Sequence, residues 1–425
     1  MRKPGSPFPI PHSLPAFPKG RSSSTPYSPL PTPCGVLIIV ENLPVPLDRR
    51  VWQEARSLTA AGYRVSIVCP KGSGFDASRE NLEGIEIYRH RIWEASGPLG
   101  YLIEYGWALA VEFLLALRIY ARTRFRILQA CNPPDTIFLI GLFFKLFGVR
   151  FIFDHHDLNP ELFETKFGRK GFFYRLVCLA ERMTFRTADV AVAANDSYRE
   201  IALTRGGVRP EKSFVVRSCP DLDRLELQPP RPELKEGKAH LVVYLGVMGP
   251  QDGLDLLLES IRFLVKENRR DDTLFVLIGN GSELPLLKAA AIDKGLRAVV
   301  RFTGRLPDDE VGTYFATAAL GVAPDPKTAM NDKSTMNKVL EYMAYGLPVV
   351  LFDLNEGRRS AGDAALYARD NDPIDFARQV ARLLDSQALR NELGSRARRR
   401  IEERLNWNIE KQALLEAYRT ARGRA

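Results

Sequence analysis

Short β-rich apolar runs alternate with amphipathic stretches of helical period through almost the whole chain after residue 33, and they do so in two blocks. In the first block GVLIIV (35–40) reads as a strand, RRVWQEARSLTAAG (49–62) as a helix closed by Gly62, and YRVSIVCP (63–70) as the next strand. RILQACN (126–132), a helix over 133–147, and the runs VRFIFDHH (149–156), VAVAAND (190–196) and SFVVRS (213–218) continue the rhythm. Strands joined by helical crossovers run parallel, so each block is an α/β sheet with helices on its faces. Residues 221–240, DLDRLELQPPRPELKEGKAH, are polar, proline-bearing and aperiodic, and read as a linker. The second block places strands at LVVYLG (241–246), TLFVLIG (273–279), AVVRFTG (298–304), ALGVAP (319–324) and LPVVLFD (347–353). The expected division is an arm over 1–33, a first domain over 34–220, the linker 221–240, a second domain over 241–405 and a C-terminal helix over 406–425.

The 425 residues suit two domains of roughly 100 to 200 residues. With 45% hydrophobic and 26% charged residues the chain is a folded one, which excludes collagen-like and coiled-coil architectures. The arm is dense in Pro and Ser and reads as disordered, and its prolines interrupt the apolar stretch an export signal would need. A net charge of +9 selects anionic partners: nucleic acid, phosphorylated small molecules or an acidic membrane surface. The basic residues are dispersed and no nucleic-acid reading module is present, which sets nucleic acid aside. Five scattered cysteines, mostly in apolar runs, point to a reducing compartment and so to the cytoplasm. The most apolar runs, 105–120 and 136–153, carry Glu112 and Lys145 with Arg150, and fall short of the ~20 clean apolar residues of a spanning helix. Residues 98–126, with Arg118, Arg122, Arg124 and Arg126 at one end, suit peripheral contact with acidic lipid; an ordinary core helix accounts for the apolar part equally well.

Ligands of parallel sheets gather beyond the carboxyl ends of the strands, so the turns there hold the site candidates. In MNDKSTMNKVLEYMAYGLPVV (330–350), Ser334 or Thr335 is placed to cap a helix running to Tyr345, with Gly346 as its stop. Asn337 and Glu341 share a face, and Glu341 interrupts an apolar set, where a carboxylate is costly without a partner. Free N–H groups at the helix start, with Lys333 and Lys338 nearby, make an anion site fit for a diphosphate. A carboxylate farther along could hold ribose hydroxyls; a plain Lys338 to Glu341 pair is the ligand-free alternative. In FIFDHHDLNPELFETKFG (151–168) an extended strand sets Asp154 and His156 on one side and His155 and Asp157 on the other. A metal site, an acid–base set and a buried structural cluster all fit these residue types, and the lack of a second ligand cluster disfavours metal. Asn159 reads as a helix cap with Pro160 at the first position. Asp48 reads as another cap, with Arg49 and Arg50 in a first turn that disfavours cations by ~0.3 to 1 kcal/mol. An acceptor or donor phosphate would offset that cost; surface salt bridging is the alternative. Gly279 and Gly281 in GNGSE could let the backbone approach a ligand. The DxD patterns at Asp221 to Asp223 and Asp370 to Asp372 are short enough to arise by chance.

The string NDKSTMNKVLEYMAYGLPVV resembles the donor-binding region of the retaining glycosyltransferases of family 4, whose hallmark is two glutamates separated by seven residues ahead of a small-residue stretch and a GxPVV strand. The likeness extends over nearly all of residues 35–415. It implies a GT-B fold, two Rossmann-like domains facing each other across a cleft. The helical, basic C-terminal stretch that includes residues 396–425 suits packing back on domain one, contact with an anionic surface, or a solvated helix face equally. By that resemblance Glu341 binds the nucleotide ribose, and Lys333, Ser334, Thr335, Asn337 and Lys338 hold the diphosphate. His156, with Asp157 beside it, meets the reacting sugar, and the FTGRL turn with Arg305 lies where the base is held. Two departures stand out. The first glutamate is Lys333, with Asp332 beside it, and GVMGPQDG (246–253) puts Val247 and Asp252 where the family's Arg and Lys clamp the phosphates. Lys333, Lys338 and Arg305 are the candidate replacements. The implied reaction is a metal-independent, retaining transfer from a nucleotide-sugar, a UDP-sugar among them, to a glycan or polyprenyl-linked acceptor in surface polysaccharide assembly, with no further cofactor. A sugar-nucleotide epimerase or hydrolase and a noncatalytic sugar-nucleotide-binding subunit are the alternatives.

Overall fold

The computed structural model describes residues 34–423 apart from residues 73, 92–97, 169 and 268, and the arm expected over 1–33 lies outside the described residues. The first sheet has eight strands: β1 (Gly35–Ile39), β2 (Arg64–Pro70), β3 (Arg79–Leu82), β4 (Ile85–His90), β5 (Ile127–Cys131), β6 (Arg150–His155), β7 (Val190–Ala193) and β8 (Ser213–Val215). Their order is β3-β4-β2-β1-β5-β6-β7-β8, parallel throughout except for the β3–β4 pair. Among the described residues six helices belong to this half: α1 (Arg49–Ala60), α2 (Pro98–Thr123), α3 (Phe138–Lys145), α4 (Asn159–Phe167), α5 (Phe172–Thr187) and α6 (Asp196–Thr204). The period of two along β1 divides the core. Val36 and Ile38 pack with Val51 and Leu58 of α1 on one face, while Leu37 and Ile39 pack with Ile119 of α2, Phe144 of α3 and Phe185 of α5 on the other. Burial on both faces explains why the central strands read as continuous apolar runs.

The second sheet is parallel and six-stranded, in the order β11-β10-β9-β12-β13-β14, from β9 (His240–Leu245), β10 (Thr273–Ile278), β11 (Val300–Gly304), β12 (Leu320–Ala323), β13 (Val349–Phe352) and β14 (Ala365–Ala368). The chain then returns to the first domain. Trp407, Leu414 and Tyr418 of the final helix, Trp407–Arg422, pack into the α1 side of that core, and Trp407 Nε1 donates to Ser57 Oγ at 2.8 Å. The strand order reverses between β1 and β5 and between β9 and β12, so both sheets open a crevice at their carboxyl ends. The two Rossmann-like sheets of the expected fold are therefore present.

Three strands carried too little pattern to be read: β3 (RENL) is polar and at an edge, β4 alternates only briefly, and β14 is a four-residue edge strand. The helix expected over 133–147 begins later, as a 3₁₀ turn at Asp135–Ile137 followed by α3. Pro134 pushes the residue before it to extended backbone and is itself extended, so the helix starts beyond the proline pair. Among the described residues no helix is long and apolar enough to cross a membrane.

Candidate active site

The carboxyl end of β6 delivers the functional side chains of domain one; Asp154 and His156 part from His155 as expected, whereas Asp157, expected on the side of His155, lines the pocket with His156. Asp154 and His156 turn toward α1: His156 Nε2 lies 2.7 Å from Asp154 Oδ2 and 2.8 Å from Arg50 Nε. Arg50 donates from Nη2 to Asp154 Oδ1 at 2.8 Å and from Nη1 to Val216 O at 2.6 Å, and its Nε is 3.2 Å from Glu54 Oε1. Gln129 Nε2 joins Glu54 Oε2 at 2.7 Å to Asp154 Oδ2 at 3.1 Å, and Tyr418 of the returning helix donates to Gln129 Oε1 at 2.5 Å. Burial pushes the Glu54 carboxyl up, and the neighbouring Asp154 charge adds to that against the pull of Arg50, to about 8. Burial would also raise Asp154, but Arg50 and His156 outweigh it and hold that carboxyl well below the usual range. Burial lowers His156, yet the Asp154 charge wins and raises it. The network thus favours a protonated Glu54 and an ionised Asp154, with His156 Nε2 held between Asp154 Oδ2 and the Arg50 Nε–H. His156 Nδ1 makes no hydrogen bond among the described residues.

Asn132 fixes the turn, its Oδ1 accepting from the His156 N–H at 2.7 Å and the Asp157 N–H at 3.2 Å. Asp157 accepts from Asn42 at 3.4 Å, and burial raises its pKa. His155 points the other way, its ring among Phe153, Phe185 and Tyr198, and is a structural histidine. Asn159 does not cap α4. Leu158 holds that position, and the Asn159 amide donates to Asp135 Oδ2 at 2.7 Å. Asp48 does cap α1, accepting from the Val51 N–H.

Domain two faces this floor with a 3₁₀ turn at Asn331–Lys333 and a helix over Asn337–Ala344. Neither Ser334 nor Thr335 caps that helix. Ser334 Oγ donates to Met330 O at 2.9 Å, Thr335 Oγ1 accepts from Asn195 at 3.1 Å, and Met336, which has no oxygen to offer, stands at the cap. The first N–H groups of the helix are therefore left without a side-chain partner, beside a pocket lined by Arg50, His156, Asp157, Asn195, Tyr198 and Ser218 on one wall and Ser334, Thr335 and Asn337 on the other. Glu341 lies one turn farther on, where burial raises its pKa against the pull of Arg49, whose Nη1 is 3.3 Å away. Arg49 also pairs with Asp308.

The two lysines do not reach the pocket. Lys338 pairs with Asp325 at 2.7 Å and sits over the Tyr244 ring, so the local pair with Glu341 is not formed either. Lys333 crosses to Glu161 of domain one at 3.3 Å. Arg305 is exposed and has no ion pair among the described residues. Gly279 and Gly281 serve a close approach, but to another turn: a Cβ would meet Gly246 O at 1.8 Å and Met248 O at 2.4 Å. At the clamp positions Val247 is exposed and Asp252 accepts from the Gly249 N–H at 2.9 Å. Cys131, Asp154 and His156 have metal-ligand spacing, yet Arg50 already occupies Asp154, so a metal ion would face a buried cation.

Sequence reasoning passed over Asn195, Tyr198 and Asn132. Asn195 at the end of β7 caps α6 with its oxygen while its amide reaches the Lys333 carbonyl at 2.8 Å across the cleft. Its signal was its place, a strand-end asparagine ahead of a helix.

Residues 47–219 match the glycosyl transferase 4-like domain, and residues 239–386 match the glycosyl transferases group 1 family. A D-inositol 3-phosphate glycosyltransferase of Streptomyces bingchenggensis is 23% identical over 260 residues, which are 57% of this chain and 55% of that protein. The match thus spans little more than half of the curated relative's length. Among solved structures, a sucrose-phosphate synthase from Thermosynechococcus elongatus superposes with a TM-score of 0.72 at 16% identity, over 92% of this chain and all of that one. The Anabaena protein HepE, crystallised with UDP-glucose, superposes at 0.68 and 14% identity over 90% and 99% of the two chains. One glycosyltransferase domain matched in each half, on two Rossmann-like sheets, makes this chain a member of the GT-B-type glycosyltransferases.

Proposed function

We propose that this chain transfers a sugar, with retention of configuration and without a metal ion, from a nucleotide-sugar to a glycan or lipid-linked acceptor. The observation that carries the reading is one pocket with an uncapped helix start on its domain-two wall and a carboxylate-held imidazole on the other. The helix N–H groups receive the diphosphate and stabilise charge as it departs. Glu341, one turn on, takes the ribose hydroxyls. His156, fixed through Nε2, presents Nδ1 to the sugar, and the leaving diphosphate takes the acceptor's proton, so orientation rather than a general base does the chemistry. A uridine nucleotide is the first donor to test, since HepE is a fold neighbour described with UDP-glucose. All five cysteines are free, which suits a reducing cytoplasm.

A noncatalytic nucleotide-sugar-binding role is the second reading, favoured by the non-basic clamp positions and the two engaged lysines. Thermal shift of the full chain with uridine, guanosine, adenosine and cytidine diphosphates and their sugars separates the cases when paired with detection of released nucleotide. Stabilisation with turnover, both lost in Glu341→Ala, supports transfer. Stabilisation without release under any acceptor condition supports the second reading, and no stabilisation at millimolar ligand overturns both.

A further inference from the structure

Ten of the seventeen large apolar side chains exposed among the described residues stand on one layer of domain one, formed by α2, α3 with the two residues after it, and α5. The helices are neighbours. Phe113 of α2 meets Phe143 of α3 with ring centroids 4.8 Å apart, and Lys145 of α3 donates to Thr187 O of α5 at 2.8 Å. Phe172, Leu176 and Leu179 recur at helical spacing along α5, Trp107 and Leu114 do so along α2, and Leu146 is 81% exposed. Single exposed apolar side chains are ordinary, but a grouped set on one layer marks a contact surface.

Among the side chains described on this layer, the exposed unpaired charge is positive. Arg118 and Arg122 of α2 and Arg175, Arg182 and Arg186 of α5 are exposed and make no ion pair among the described residues. The acidic side chains described on these helices, Glu112 and Glu181, are buried. A partner must therefore offer both apolar depth and negative charge.

We propose that this layer docks on an anionic lipid leaflet, with its apolar side chains in the interfacial zone and its arginines on headgroup phosphates. This inference is independent of the chemistry assigned to the cleft. A second copy of the chain is a poor occupant, because a two-fold contact would set arginines against arginines. The chain's own first 33 residues contain no Asp or Glu and leave that charge unanswered. The contact is peripheral, since no described helix is long and apolar enough to cross. α5 leads into the start of β7 and so runs back along the sheet, which sets Phe172 toward the carboxyl edge where His156 lies. Docking would bring that edge to the leaflet.

Flotation of the full chain with vesicles of phosphatidylcholine alone, and with an equal share of phosphatidylglycerol, tests the proposal. The expected result is capture by the anionic vesicles only, weakened by added salt. Combined Arg175→Gln, Arg182→Gln and Arg186→Gln should lower that partition by ~100-fold. Phe172→Ser with Leu176→Ser should abolish the part that survives salt, and both variants should melt with the wild type because the altered side chains are exposed. No capture of the wild type, or undiminished capture of both variants, overturns the proposal. So does a dimer in light scattering that the same substitutions dissociate, which would give the surface to a second copy.

Discussion

The two walls of the pocket are built on opposite plans. Domain one meets it with buried, cross-linked charge: Arg50 is 8% exposed and Asp154 0%, and the network extends through Gln129 to the returning C-terminal helix. Domain two meets it with neutral side chains on a helix start, its nearby lysines committed to Asp325 and Glu161. One wall is part of the fold; the other is a grip that can be altered without unfolding it. Substitutions should accordingly cost stability on the first wall and ligand affinity on the second.

The largest effect belongs to Asp154→Ala. It leaves Arg50 buried with Glu54 as its one remaining carboxylate neighbour among the described residues and strips His156 of its carboxylate partner, so the chain should lose ~3 to 5 kcal/mol of stability in urea denaturation. A wild-type midpoint would break the comparison. Glu341→Ala comes next and acts on the other wall. Its pair with Arg49 is solvent-accessible, at 30% and 59% exposure, so stability should change by less than ~1 kcal/mol. Affinity for UDP should fall ~10-fold to 100-fold in calorimetry, the worth of hydrogen bonds to a charged group. A stability loss with affinity intact would place the ribose elsewhere.

The domain-one wall also carries a pH dependence, at a smaller scale. His156 is raised, so its stabilising contribution is complete below its ordinary value of ~6.5 and is lost as pH rises through the folded value. Glu54, raised to about 8, acts in the same direction: the unfolded carboxyl ionises first, and stability falls as pH climbs from its ordinary 4.5 toward 8. Asp154 is lowered and costs stability only in acid, as pH falls through its folded value. Urea midpoints should therefore drop between pH 5.5 and pH 8, and Glu54→Gln should remove the larger share of that drop. An unchanged slope would mean that the domain-one network does not hold its proton on Glu54.

The fold was legible because burial on both sheet faces writes itself as apolar runs, and Asp154, His156 and Glu341 were legible because a charge that interrupts such a run needs a reason. The partners of those charges were not. Nothing in the local sequence ties Arg50 to a strand a hundred residues away, turns Lys338 toward Asp325, or sends Thr335 to Asn195 instead of to its own helix. Capping rules rank residues by local acceptor capacity, and here a donor on the opposite wall, the Asn195 amide, took the Thr335 oxygen. The two glycines of GNGSE show the same limit: the need for a bare backbone was readable, while the neighbouring turn that imposes it comes from a different crossover.

Arg49 crosses the comparison, because it is a domain-one cation placed on domain two's carboxylates. Its pairs with Glu341 and Asp308 are exposed and screened, so Arg49→Ala should leave stability within ~0.5 kcal/mol. The direction of the binding effect is what decides its role. Where Glu341 holds the ribose, the incoming nucleotide competes with Arg49 for the same oxygens, and removing the arginine removes the competitor. UDP affinity should then rise about twofold to fivefold, the equivalent of less than ~1 kcal/mol. A fall of similar size would mean that Arg49 swings from Glu341 to the diphosphate when the nucleotide arrives. Domain one would then lend the grip a charge that domain two's own lysines, held by Asp325 and Glu161, do not supply.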